Sequence, residues 1–169
     1  MEYLIIDGYN VINAWGDVFD LKNETLEECR NKLLNILSNY QGYKKINTIV
    51  VFDAHLVKGS QEKQEIFDNL TVVFTRENET ADNYIEKFVH KLGNTCTIRV
   101  VTSDYLEQTI ILSNGGIRMT PWELKEEISL ASRRADSGEN RKIDRVNTIE
   151  SRIKPEMLEK LEKMRRSKF

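Results

Sequence analysis

The chain has 169 residues, 40% hydrophobic and 31% charged, with a formal net charge of −2 and two cysteines. That is the size and composition of one globular domain with a small appendage, and it excludes a disordered chain and a disulfide-stapled scaffold. Its apolar runs are too short to cross a membrane, and the N-terminal MEYLIIDGYNVIN has no basic start before Asp7, so we expect a cytoplasmic protein with reduced, buried thiols at Cys29 and Cys96.

The first element is a strand, Tyr3 to Asp7, closed by Gly8, a residue that permits close backbone approach or an unusual dihedral. Leu26, Cys29, Leu33, Leu37 and Tyr40 then recur at helical spacing. A second strand, Ile46 to Asp53, leads into a long polar connection over 54–69, and a third runs from Leu70 to Thr75. Ala81, Ile85, Phe88 and Leu92 mark the next helix, and Thr97 to Thr102 a fourth strand. A helix carrying Leu106 and Ile110 follows. Thr120-Pro-Trp-Glu123 opens another, with Thr as N-cap, Pro at the first helical position and Glu three residues on. Residues 136–148 read as a polar loop, and Pro155 as the start of a last helix. Continuous β-branched runs alternating with helices predict an α/β fold with a mainly parallel central sheet flanked by helices. We divide the chain into a core domain, 1–132, and a basic C-terminal helical extension, 133–169. The extension carries 12 Lys and Arg against 7 Asp and Glu, whereas the core carries 13 against 20.

In such a sheet, ligands sit outside the carboxyl ends of the strands. Asp7, Asp53 and Asp104 each follow a strand there, and Asp82 and Glu79 stand at the start of a helix. Taken singly, Asp104 and Asp82 also read as helix-capping or first-turn acids, and Asp53 as a turn residue. Taken together they form a cluster whose members repel: two like charges about 4 Å apart cost roughly 4 kcal/mol at an effective dielectric near 20. Hard carboxylate oxygens with no His or Cys set beside them favour Mg²⁺ or Mn²⁺. His55 reads as a loop histidine or a base beside the cluster. Asn10 can orient a carboxylate or a phosphate through its amide. Lys58, Arg76 and Arg118 lie near the same edge as candidate RNA contacts, joined by Arg133, Arg134, Arg141, Lys142 and Arg145 of the extension. Tyr9, Trp15, Tyr105 and Trp122 are candidates for base stacking.

Asp7-Gly-Tyr-Asn10, Phe52-Asp-Ala-His55, Glu79-Thr-Ala-Asp82 and Thr102-Ser-Asp104, in that order, resemble the NYN-domain proteins and more closely their YacP-like branch. The stretch from Thr75 to Glu86, Glu107-Gln108 and Arg118-Met-Thr are further matching pieces. The resemblance implies a PIN-like fold and a divalent-metal-dependent endoribonuclease using Mg²⁺ or Mn²⁺. Carried over by motif, Asp7, Asp82 and Asp104 would form the metal centre, with Asp53 and Glu79 supporting or extending it. Asn10 would join the three aspartates in the catalytic set. The branch also implies an mRNA substrate, hydrolysed in the A site of the translating ribosome during mRNA decay. Gly116 stands where an alanine is expected before Arg118. A non-catalytic ribosome- or RNA-binding module, or a small-molecule phosphatase, remains the alternative reading.

Overall fold

The structure is a computed structural model. It describes residues 1–55 and 58–150, the last thirteen of these as backbone only. Its elements are β1 (Glu2–Asp7), α1 (Gly8–Ala14), α2 (Leu26–Lys44), β2 (Asn47–Phe52), β3 (Lys63–Phe67), β4 (Leu70–Phe74), α3 (Ala81–Leu92), β5 (Thr97–Val101), α4 (Tyr105–Ser113), β6 (Ile117–Met119) and α5 (Pro121–Glu150).

Six strands form one sheet in the order β3-β4-β2-β1-β5-β6. All neighbours run parallel except β3, which pairs antiparallel with β4. The four strands expected from the β-branched runs are the four buried ones of this sheet. On one face Ile5, Ile49, Val51, Val73, Ile98 and Val100 pack with Ala81, Ile85 and Val89 of α3 and Ile111 of α4. The alternate residues Leu4, Ile6 and Val50 are fully buried and point to the opposite face, where α1 and α2 lie against β2 and α2 reaches β4.

Local chemistry fixes the helix starts. Thr25 and Glu28 form a reciprocal capping box on α2, and the Thr80 side chain accepts from the Asn83 N–H on α3. At α5 the Thr120 hydroxyl accepts from the Glu123 N–H at 3.2 Å, while Glu123 accepts from the Thr120 N–H at 2.6 Å. That is the capping box expected there.

The structure departs from the sequence reading in several places. Residues 63–67 of the polar connection form edge strand β3, and Gly8–Ala14 form a short helix. Residues 136–148, expected as a loop, continue α5 to Glu150. No proline interrupts the chain between Pro121 and Pro155, and the lone Gly138 costs a helix only about 1 kcal/mol. Cys96 is half-buried rather than buried. The expected last helix at Pro155 lies outside the described residues. The chain divides into two units, Met1–Ser129 and one beginning at Leu130.

Candidate active site

β1 is the topological centre of the sheet. The chain first builds outward through β2 and β4 on one side, then returns to add β5 and β6 on the other. The loops leaving β1 and β5 therefore diverge and open a crevice at their carboxyl ends, where open α/β sheets bind ligands. One side chain spans that crevice. The Asn10 amide oxygen accepts from both the backbone N–H and the hydroxyl of Ser103, each at 2.9 Å.

Asp7 ends β1 and caps α1, accepting from the Asn10 N–H at 3.1 Å. Gly8 makes this turn possible through space rather than dihedral freedom: a Cβ there would stand 2.2 Å from the Phe52 ring. α3 presents Asp82 in its first turn, and α4 presents Glu107 in its first turn. Asp7, Asp82 and Glu107 each place a carboxylate oxygen within 4.8 Å of the other two, the cluster of this kind found among the described residues. Asp7 and Glu107 are buried, at 9% and 6% exposure. Both Glu107 oxygens are buried with no hydrogen-bond partner.

The electrostatics follow from this crowding. Burial pushes Asp7 up to about 6, with the charges of Asp82 and Asp53 adding to it. Burial also pushes Glu107 up to about 8, and Asp82 and Asp7 push the same way. Asp82 is raised too, by desolvation first and then by the charges of Asp104 and Asp53. Three carboxylates with unused oxygens and no cationic side chain among them suit a small hard cation. The donor set is all oxygen, as Mg²⁺ or Mn²⁺ prefers.

A pH dependence follows. Asp7 and Glu107 hold their protons more tightly in the fold than their ordinary values of 3.8 and 4.5. Their contribution to stability is full below those ordinary values. It is lost as pH rises through about 6 and then about 8. Thermal melts of the metal-free protein should fall in midpoint between pH 5 and 9. Glu107→Gln should flatten the upper part of that fall, and Mn²⁺ should restore the wild-type midpoint at high pH. A flat profile in chelator would contradict this electrostatic picture.

The other predicted residues take distinct places. Asp104 is exposed and caps α4, its Oδ1 accepting from the N–H groups of Leu106 at 2.8 Å and Glu107 at 3.3 Å. It thereby fixes the turn that carries Glu107. Asp53 is engaged by His55, whose backbone N–H donates to Asp53 Oδ1 at 2.9 Å and whose Nδ1 meets the same oxygen. Glu79 is buried and pairs with Lys87 at 2.6 Å and Arg76 at 3.3 Å. Arg118 donates to the Gln108 side chain at 3.3 Å, and Lys58 is exposed in a turn. Arg133 and Arg134 are exposed on α5, while the side chains of Arg141, Lys142 and Arg145 lie outside the described residues.

Among the aromatic candidates, Tyr105 and Trp122 are exposed. Trp15 is not available for stacking, because it is 1% exposed and donates its Nε1–H to the Pro121 carbonyl at 2.8 Å. Tyr9 packs on Phe52, and its hydroxyl accepts from Arg30 at 2.8 Å.

The family model described as a YacP-like NYN domain matches residues 4–166. The chain is 41% identical over 167 residues to the protein YacP of Bacillus subtilis strain 168, with 98% of each chain covered. The crystal structure of Rae1 (YacP) from Bacillus subtilis matches with a TM-score of 0.70 at 40% identity, covering 99% of this chain and 96% of that one. The crystal structure of a mutant form of that same protein matches with a TM-score of 0.69 at 40% identity, covering 90% of this chain and 86% of the other.

Proposed function

The chain belongs to the YacP-like NYN domain family of PIN-like nucleases, and from that premise we propose that it is a divalent-metal-dependent endoribonuclease. In this reading it hydrolyses phosphodiester bonds of mRNA presented in the A site of the translating ribosome, in the cytoplasm, as a step of mRNA decay. The observation that carries the proposal is the convergence of Asp7, Asp82 and Glu107, with both buried Glu107 oxygens lacking a partner. A cation held among these acids would offset the repulsion they build in, which favours the catalytic reading over a non-catalytic binding module.

Asp7, Asp82 and Glu107 would hold Mg²⁺ or Mn²⁺, with the charges of Asp53 and Asp104 beside them. When bound, the ion supplies the positive charge that favours ionisation of water and offsets charge on the phosphate. The protein's own work is to hold its acids in place. Asp104 sets the first turn of α4, and Asn10 ties the β5–α4 loop to the β1–α1 turn. Asn10, with its oxygen occupied by Ser103, acts by holding the crevice in shape. Lys58, Arg76 and Arg118, together with Arg133, Arg134, Arg141, Lys142 and Arg145, would meet RNA phosphates and make binding steeply salt-dependent.

Hydrolysis predicts a 5′-phosphate and a 3′-hydroxyl at each cut. Mapping RNA 5′ ends in a translating extract, wild type against Asp7→Asn, tests this. New monophosphorylated ends that need Asp7 and vanish when translation is blocked are expected. Ends that persist without translation would remove the ribosome from the account. Asp7-dependent products ending in a 2′,3′-cyclic phosphate would overturn hydrolysis.

A further inference from the structure

A second feature lies on the flank of α3, outside the acidic crevice. Tyr84, Lys87 and Lys91 follow at helical spacing along one side of that helix and line a cavity of about 260 Å³, completed by Arg76, Glu79 and Glu62. The charges there are ordered. Glu79 is 5% exposed and holds two cations at once, Lys87 Nζ at 2.6 Å and Arg76 Nε at 3.3 Å. Those cations remain 62% and 59% exposed. Lys91 is exposed and makes no ion pair among the described residues. Three cations therefore stand against two carboxylates, one of which is buried and already shared. This occurs on a body whose Asp and Glu outnumber its Lys and Arg.

We propose that this cavity is a subsite for single-stranded RNA, in which Arg76, Lys87 and Lys91 receive a backbone phosphate and the ring of Tyr84 receives the adjoining base. The inference rests on the ribonuclease reading and extends it to the strand flanking the cut. Long flexible cations lose rotamer entropy when they grip a phosphate, and two of these are held in advance by Glu79, which lowers that cost. Tyr84 is half-buried and packs against the core cluster, so its ring is held in place where it lines the cavity, and aromatic rings held in this way serve as stacking platforms for bases. Lys87 lies five residues after Asp82, roughly 8 Å along the α3 axis but about 140° around it, so a strand reaching this cavity from the acidic crevice has to pass across α3. In this arrangement Glu79 is a positioning residue for the cations.

The test is equilibrium binding of a fluorescent single-stranded RNA to the full-length Asp7→Asn protein, across a salt series, with inorganic phosphate as competitor. Lys91→Gln, in the same background, removes a cation that holds nothing else in place. It should weaken binding several-fold and reduce the slope of log affinity against log salt by about 0.7, the value for one phosphate contact on a single strand. Tyr84→Leu should weaken binding without changing the slope. Inorganic phosphate should compete only at far higher concentration than RNA. If the parent protein binds RNA and Lys91→Gln binds with the same affinity and slope, the subsite is wrong and the ribonuclease reading stands. Competition by phosphate as effective as that by RNA would make this a small-anion site and overturn the RNA assignment. If the parent binds no RNA at any salt, the subsite and the reading beneath it fall together.

Discussion

Asp7→Asn and Glu107→Gln should each lower RNA cleavage more than about a hundredfold and leave the protein folded. Changing a residue one step removed from a metal typically costs 10- to 100-fold in affinity or activity, so loss of a direct ligand should exceed that range. Both substitutions preserve shape. Asparagine is as good an N-cap as aspartate, so the bond from the Asn10 N–H to position 7 can survive and α1 with it. Glutamine at 107 replaces a buried carboxylate whose two oxygens have no hydrogen-bond partner. Stability should move the other way from activity. At pH 8.5 and without metal, Glu107→Gln should be more stable than wild type, because the neutral amide carries no charge to bury and none to repel Asp82 and Asp7. Turnover and chelator melts on the same preparations separate a functional acid from a structural one. An inactive Glu107→Gln that also melts lower would assign Glu107 to the fold instead.

Gly8→Ala should destabilise the fold and the site together. The added Cβ would stand 2.2 to 2.9 Å from three atoms of the Phe52 ring, and that ring has nowhere to go. It is fully buried and packed against Tyr9 and Phe74, with centroids at 5.2 and 5.6 Å. Overpacking of this kind costs about 1–3 kcal/mol. Because Asp7 is the adjacent residue, cleavage should fall as well. Phe52→Leu alone leaves a cavity, yet combined with Gly8→Ala it makes room for the methyl. The double variant should therefore be more stable than the sum of the two single losses implies. Strict additivity in denaturant melts would contradict the close-approach explanation of this glycine.

Much of the site is visible in the sequence because strands and helices announce their ends. Asp7 closes a β-branched run, and Asp82 follows Thr80 at a helix start. Glu107 is different. Three residues after Asp104, it reads as a first-turn acid of α4, a position acidic residues favour for local reasons. Its burial beside Asp7 depends on how α4 returns to the sheet, which no local pattern encodes. The one signal is its place in the Glu107-Gln108 motif. Glu79 shows the converse. Its position beside Asp82 invites a metal role, but its carboxylate is engaged by Lys87 and Arg76, and only tertiary placement tells the two apart.

The same division holds for the fold. Buried strands are legible from their apolar runs, and edge strand β3 is not, because Lys63-Gln-Glu-Ile-Phe67 is polar and mostly exposed, as edges are kept. Its turn is nonetheless written in the chain. Phe67 pairs with Leu70 across Asp68-Asn69, and Asp68 adopts a φ of 51°, a conformation that Asp and Asn tolerate in tight hairpins.

We propose that Asp7, Asp82 and Glu107 form one cation site and that this site carries the chemistry. Calorimetric titration of the full-length chain with Mn²⁺ tests it most directly, comparing wild type with Asp7→Asn, Asp82→Asn and Glu107→Gln. Asp17→Asn serves as control, since Asp17 is exposed and pairs with Lys125. Each of the three variants should weaken binding more than about tenfold, and the control should bind as wild type does. A wild-type protein that takes up no cation, or a Glu107→Gln protein that binds it unchanged, would contradict the claim.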